Sequence, residues 1–235
     1  KNHDRSRVEV YCYAAVRQAD DITHILKGYS DHWRDIFSMS DFEVANLVRE
    51  DEIDILIDLC GHSSANRIGV FTYKPAPVQV AYLGYIATTG LEEIDYRITD
   101  PIMNPIDTKE ICSEQLYRLP RCYKTYEPAL NEPDVCPTVS NSSHVIFGSL
   151  HRISKLTDAT IKLWSRILNE LCGSKLLLAR HELSFEKNRT HIYKKFAEYD
   201  VPESRLILDD TTGYKTHMEI YRKIDISLDP VPVVG

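Results

Sequence analysis

The apolar residues of this chain alternate between short, almost continuous runs and longer stretches where they recur every three or four positions. The clearest run is Ile53, Ile55, Leu56, Ile57 and Leu59, the pattern of a strand covered on both faces in a parallel sheet. Gly61 breaks it. Ser63 and Ser64 are placed to cap a helix running from Asn66 to Phe71, and Lys74-Pro-Ala-Pro77 stops that helix before Val78, Val80 and Tyr82 begin a new strand. This strand runs into Leu83-Gly-Tyr-Ile-Ala-Thr-Thr-Gly90. The order strand, turn, helix, strand, loop is an α/β crossover. In open α/β sheets ligands bind beyond the carboxyl ends of the strands, so the Gly61 turn and the Gly84 loop both face an expected site. The spacing alone does not identify the ligand.

The rest of the chain repeats this alternation in two halves. In the first, Val8 to Ala14 is predicted as a strand, Ser40 to Arg49 as a helix opened by a Ser or Asp cap, and Tyr96 to Thr99 as a further short strand. Between Tyr126 and Ser143 the composition turns to Pro128, Pro133, Pro137 and a Ser/Asn cluster, as in a linker. In the second half, strands are predicted at 145–149, 175–179, 205–208 and 224–228. The helix predicted at 157–171 carries Ile161, Trp164, Ile167, Leu168 and Leu171 on one face, Phe185 to Phe196 mark another, and 214–223 a third. The expected domains are 1–128 and 144–235, joined by a linker at 129–143.

Composition narrows the function classes. A formal charge of −7 without a Lys/Arg run argues against nonspecific binding to nucleic acid or an anionic membrane. No apolar run approaches the roughly 18 residues of a membrane span, and the charged opening does not resemble a signal peptide, so a cytoplasmic or nuclear protein is expected. The six cysteines, at 12, 60, 112, 122, 136 and 172, show neither CxxC pairs nor zinc spacing and are expected to be free thiols.

Two basic positions invite a chemical reading. Lys155 follows a strand end containing Gly148 and precedes the helix that starts near Thr157, so its ammonium and the helix N–H groups could meet on one diphosphate. By position alone a solvated surface lysine is the commoner reading. His217 lies on a helix beside Ile220, Tyr221 and Ile224, where a histidine by itself is usually a partly buried structural residue. His62 fits a turn-stabilising role as well as a functional one.

Several segments together resemble one family. Asp54-Ile-Leu-Ile-Asp-Leu-Cys-Gly-His-Ser-Ser64, Lys74-Pro-Ala-Pro-Val-Gln-Val80, Leu83-Gly-Tyr85, Thr88-Thr-Gly90 and Asp95-Tyr-Arg-Ile-Thr-Asp100 resemble the catalytic region of the protein O-GlcNAc transferase and SPINDLY family. The resemblance continues, in family order, through His144-Val-Ile-Phe-Gly-Ser-Leu150, Lys155, Trp164, His217 and Ile224-Asp-Ile-Ser-Leu-Asp229. It implies an α/β fold of the GT-B type, two Rossmann-like domains facing a cleft, both incomplete here. The implied activity is inverting transfer of GlcNAc from UDP-GlcNAc to Ser or Thr of intracellular proteins, with no metal or other cofactor. A GDP-fucose donor is the alternative, because 54–62 and 95–100 look at least as much like the SPINDLY branch.

By the same resemblance Lys155 contacts the nucleotide diphosphate and stabilises its leaving charge, Arg152 and His217 lie at the nucleotide, and Leu83, Gly84 and Tyr85 bring backbone close to the sugar hydroxyls, where glycine's lack of a Cβ helps. His151 and Arg152 replace the Asn or Gln usual in relatives, and Ile86 replaces a proline. A family His-Pro motif upstream and a Gly-Thr-Thr loop downstream fall outside residues 1–235, and tetratricopeptide repeats are expected upstream. The 235-residue piece is therefore expected to be inactive alone, and an inactive nucleotide-sugar-binding scaffold is the reading from another class.

Overall fold

A computed structural model describes residues 2–127, 144–210 and 218–232. It comprises two compact units, Lys1–Tyr126 and Glu127–Gly235. The expected linker and His217 lie outside the described residues.

The first unit holds two parallel sheets. β1 (Tyr11–Ala14) pairs with β2 (His32–Asp35), and α1 (Asp21–Tyr29) connects them. α2 (Asp41–Glu50) then leads to a four-stranded sheet of β3 (Ile55–Asp58), β4 (Val78–Ala81), β5 (Tyr96–Thr99) and β6 (Gln115–Arg118), in that spatial order. α2 starts where the sequence indicates. The Ser40 hydroxyl accepts the Glu43 N–H while the Glu43 carboxylate accepts the Ser40 N–H, a reciprocal capping box. Val44, Ala45 and Val48 of α2 pack with Ile36, Leu56, Val70, Phe71, Ala81 and Ile94 into one core.

β3 departs from the expected strand buried on both faces. Leu56 and Asp58 are buried, but Ile55 is 56% and Ile57 47% exposed. The strand is at the edge of its sheet, and the described residues cover only the face that meets α2. α1 likewise buries none of its residues and leaves Ile22, Ile25 and Leu26 exposed. The helix expected from Asn66 to Phe71 is a 3-10 segment, Ile68–Tyr73, preceded by Arg67 without a side-chain cap. Ser63 is not a cap because its hydroxyl turns back to donate to the Cys60 carbonyl.

In the second unit, β7 (Ile146–Ser149), α3 (Asp158–Glu170), β8 (Lys175–Ala179), α4 (Glu186–Ala197), β9 (Leu206–Asp209) and β10 (Ile226–Ser227) build a parallel sheet ordered β10-β7-β8-β9. Central β8 is covered on both sides. Leu176 and Leu178 join Phe147, Ile161, Trp164, Leu168, Ile192 and Phe196 on one face, while Leu177 and Ala179 meet Leu150, Ile220 and Ile224 on the other. Its continuous apolar run is what burial on both faces requires. Leu171 is 48% exposed rather than on the buried face of α3, because it is the residue that ends the helix.

Cys12, Cys60, Cys112, Cys122 and Cys172 are free thiols. Among the described residues no helix is long and apolar enough to cross a membrane, and no cluster of His, Cys, Asp or Glu could hold a metal ion.

Candidate functional site

The strand order of the second unit places its site. Successive strands β7, β8 and β9 step one way across the sheet, whereas β10 lies on the other side of β7. The connections therefore part between β7 and β10, and ligands of such sheets bind in the crevice beyond the carboxyl ends at that point.

Three segments converge there. After β7 come His151, Arg152 and a 3-10 turn, Ile153–Lys155, leaving Lys155 half-buried and Arg152 exposed immediately before the start of α3. Thr157 caps α3 by accepting the Thr160 N–H. The hydroxyls of Thr157 and Thr160 both donate to the Val231 carbonyl at 2.8 Å, tying the chain after β10 to the start of α3. Between them, His151 spans the crevice, with Nδ1 3.0 Å from the buried Ser149 hydroxyl and Nε2 3.0 Å from Asp229. Burial lowers the His151 pKa, an effect partly offset by Asp229 and reinforced by the nearby Lys155 and Arg180 charges. Lys155 and Arg152 thus share one turn at the opening of a helix whose first N–H groups favour anions.

The first unit builds a second constellation at the carboxyl ends of β3 and β4. Asp58, buried at the end of β3, accepts the N–H groups of Cys60 at 3.2 Å and Gly61 at 2.6 Å. Gly61 has φ +52°, and an added Cβ would collide with the Tyr85 side chain, so the turn requires glycine on both counts. The Tyr85 ring meets His62 edge-on at 5.4 Å. His62 is held by an Nε2 contact of 2.7 Å with the Thr89 carbonyl.

The loop itself is strained at one point. Gly84 N–H donates to the Tyr82 carbonyl at 2.9 Å across Leu83, which has φ +66°, a tight turn that a branched residue adopts only when its surroundings impose it. Gly84 is exposed on one side, while its α-carbon abuts the Leu59 carbonyl so closely that a Cβ would lie 1.9 Å from that oxygen.

Residues 86–90 carry fasteners that the sequence reading did not single out. Arg97, 3% exposed, donates to the Ile86 carbonyl at 2.6 Å and pairs with Glu110 at 2.9 Å. Glu114, 4% exposed, accepts the Thr89 N–H at 2.6 Å and the hydroxyls of Thr88 and Thr89. Burial pushes the Glu114 carboxyl pKa up, but the hydrogen bonds from Thr89 and Thr88 outweigh it and hold the group below the usual glutamate value. A polar residue just ahead of a strand was the only local signal for Glu114, and many solvated glutamates share it.

Of the residues expected at a site, Leu83, Gly84 and Tyr85 are thus together in the first unit, and Arg152 and Lys155 together in the second. Residues 1–127 match the family description "Glycosyl transferase family 41". The chain belongs to glycosyl transferase family 41. It is 36% identical, over all of its length, to 26% of an Arabidopsis thaliana protein named probable UDP-N-acetylglucosamine–peptide N-acetylglucosaminyltransferase SPINDLY. A second Arabidopsis thaliana relative, the probable UDP-N-acetylglucosamine–peptide N-acetylglucosaminyltransferase SEC, is 31% identical over 97% of this chain and 24% of its own length. A solved Lys-to-Met mutant of the Thermobaculum terrenum O-GlcNAc transferase superposes with a TM-score of 0.92 at 34% identity, covering 99% of this chain and 44% of that one. This family 41 chain therefore spans about a quarter of the length of such curated relatives. Its fold class is the α/β, GT-B type expected from the sequence.

Proposed function

We propose that the protein is an inverting O-glycosyltransferase that moves GlcNAc from UDP-GlcNAc to Ser or Thr hydroxyls of other proteins in the cytoplasm or nucleus. Membership of family 41 and the names of its relatives support the reaction class. The observation that carries the chemistry is Lys155, half-buried at the switch point of the second sheet and directly ahead of α3.

The acceptor hydroxyl oxygen attacks the anomeric carbon and gives up its proton to solvent, the bond from that carbon to the diphosphate oxygen breaks, and negative charge builds on the leaving group. Lys155 and the first N–H groups of α3 neutralise that charge in place, which lowers the barrier more than it tightens ground-state binding. Arg152 and His217 complete the nucleotide side, Leu83 to Tyr85 meet the sugar, and no metal is needed in this scheme. Protein acceptors reach the site with the help of tetratricopeptide repeats elsewhere in the complete polypeptide.

The test uses the complete gene product and its Lys155→Met variant. Calorimetric titration with UDP, UDP-GlcNAc, GDP and GDP-fucose identifies the donor, with the uridine pair expected to bind. Lys155→Met should lower kcat by roughly 100-fold or more, the scale of one positioned charge stabiliser, with little change in thermal midpoint. Unchanged kcat and unchanged nucleotide affinity would remove Lys155 from the reaction. Binding without transfer by the complete wild-type protein would leave a nucleotide-sugar-binding scaffold.

A further inference from the structure

The loop after β4 receives more polar support than an exposed turn needs in order to fold. Loops of this kind are normally satisfied by their own backbone, by short Asx or Ser/Thr contacts and by water. Here three neighbouring elements reach the few residues from Ile86 to Gly90. His62, after β3, contacts the Thr89 carbonyl at 2.7 Å. Arg97, on β5, donates to the Ile86 carbonyl at 2.6 Å. Glu114, immediately before β6, receives the Thr89 N–H, the Thr89 hydroxyl and the Thr88 hydroxyl. Thr88 in turn accepts the N–H groups of Gly90 at 3.1 Å and Ser113 at 3.2 Å.

Glu114 is the centre of this arrangement and the element least explained by folding alone. Removing a carboxylate from water is expensive unless several donors replace the lost hydration, and a neutral side chain would close the same turn without that cost. What the carboxylate adds is an immovable acceptor for Thr88 and Thr89, and these fix the carboxyl-terminal end of the segment that begins at Leu83. The other end is fixed by the left-handed Leu83 and by Gly84 against the Leu59 carbonyl. A backbone clamped at both ends presents its N–H and C=O groups in one geometry, so a ligand that uses them does not have to order the loop on arrival.

We propose that Glu114 is a positioning residue for the donor sugar: by clamping Thr88 and Thr89 it holds the Leu83–Tyr85 backbone in the conformation that receives the sugar hydroxyls. The inference rests on the reading of this loop as the sugar subsite. It predicts a division that a stabilising role does not, because UDP lacks the sugar that the clamped loop receives and UDP-GlcNAc carries it.

The experiment measures the affinities of UDP and UDP-GlcNAc for the complete protein and for Glu114→Gln, Thr88→Val and Tyr85→Ala, together with the thermal midpoint of each. One Glu114 oxygen accepts from Thr89 and the other from Thr88, so Glu114→Gln keeps one acceptor and turns its NH2 toward the other threonine. It should weaken UDP-GlcNAc binding about tenfold and raise KM for the donor, while UDP binds within about twofold of wild type. Thr88→Val, which removes one hydroxyl donor without altering the carboxylate, should show the same selectivity at about threefold and covers the case in which Glu114→Gln fails to fold. Equal losses for UDP and UDP-GlcNAc, or a lower midpoint with both affinities intact, would overturn the positioning role. If Tyr85→Ala also leaves the ratio of the two affinities unchanged, the loop is not the sugar subsite and the underlying reading fails. If Tyr85→Ala alone shifts the ratio, the subsite stands and only the role of Glu114 is lost.

Discussion

Gly84→Ala tests whether the close approach of the loop to β3 is as tight as it is drawn. A methyl group at this position would sit 1.9 Å from the Leu59 carbonyl oxygen and 3.0 Å from its carbon, whereas ordinary contact begins near 3.4 Å. The loop or the end of β3 must therefore retreat by about 1.5 Å, the difference between 3.4 and 1.9. Neither side yields easily. Tyr82 N–H donates to the Asp58 carbonyl at 2.9 Å just before the contact, and the far end of the loop is tied to Arg97 and Glu114. Overpacking of this kind costs about 1–3 kcal/mol, and a strained or lost fastener adds about 1 kcal/mol, so the expected loss is about 2–4 kcal/mol. Gly90→Ala is the control. Its φ is +73° but nothing lies within 4 Å of the added methyl, so it should lose only the left-handed strain of about 1–2 kcal/mol. Urea denaturation of the three proteins, followed by a signal from the first unit, gives both differences. A Gly84→Ala midpoint indistinguishable from wild type would refute the backbone contact, and a loss no larger than that of Gly90→Ala would show that the loop yields to the methyl group, since Gly84 itself has no left-handed φ.

Two further outcomes follow from other parts of the molecule. Trp164, 1% exposed in the core beneath α3, should cost about 3–5 kcal/mol when truncated to alanine; a chemical-denaturation loss under about 1 kcal/mol would mean that the cavity closes by rearrangement. Asp51 accepts both Nε and Nη2 of Arg34, at 3.0 and 2.5 Å, and the Tyr13 hydroxyl at 2.8 Å. The Arg34 hydrogen bonds lead in holding its carboxyl below the ordinary value of 3.8. Just below that ordinary value the unfolded chain then binds more protons than the folded one, so the contribution is complete above it and is lost as pH falls through the lower, folded-state value. Asp51→Asn should flatten the acid limb of the stability profile while lowering stability at neutral pH, and acid limbs of equal steepness in variant and wild type would exclude this role for the carboxylate.

Features whose cause is local were legible in the sequence. Ser40 followed by Glu43 predicts the start of α2 because capping is settled within four residues. Lys175 to Ala179 predicts β8 within its observed bounds, since a strand buried on both faces must be apolar along its buried positions and Leu176 to Ala179 supply that run. The run from Ile53 to Leu59 carries the same signature, yet only tertiary structure decides which faces are covered, and in β3 Ile55 and Ile57 remain exposed. Ser63 and Ser64 satisfied the rule for a helix cap, but the Ser63 hydroxyl found the Cys60 carbonyl instead, a competition that composition does not resolve. The strand pattern of the sequence placed Leu83 to Tyr85 and Lys155 just beyond strand ends, where the structure also has them. The clamp around Thr88 and Thr89 was invisible because its carboxylate lies 25 residues away. A long-range hydrogen bond leaves no periodicity and no motif; Glu114 meets those donors only because the parallel sheet brings the chain ahead of β6 beside the loop after β4.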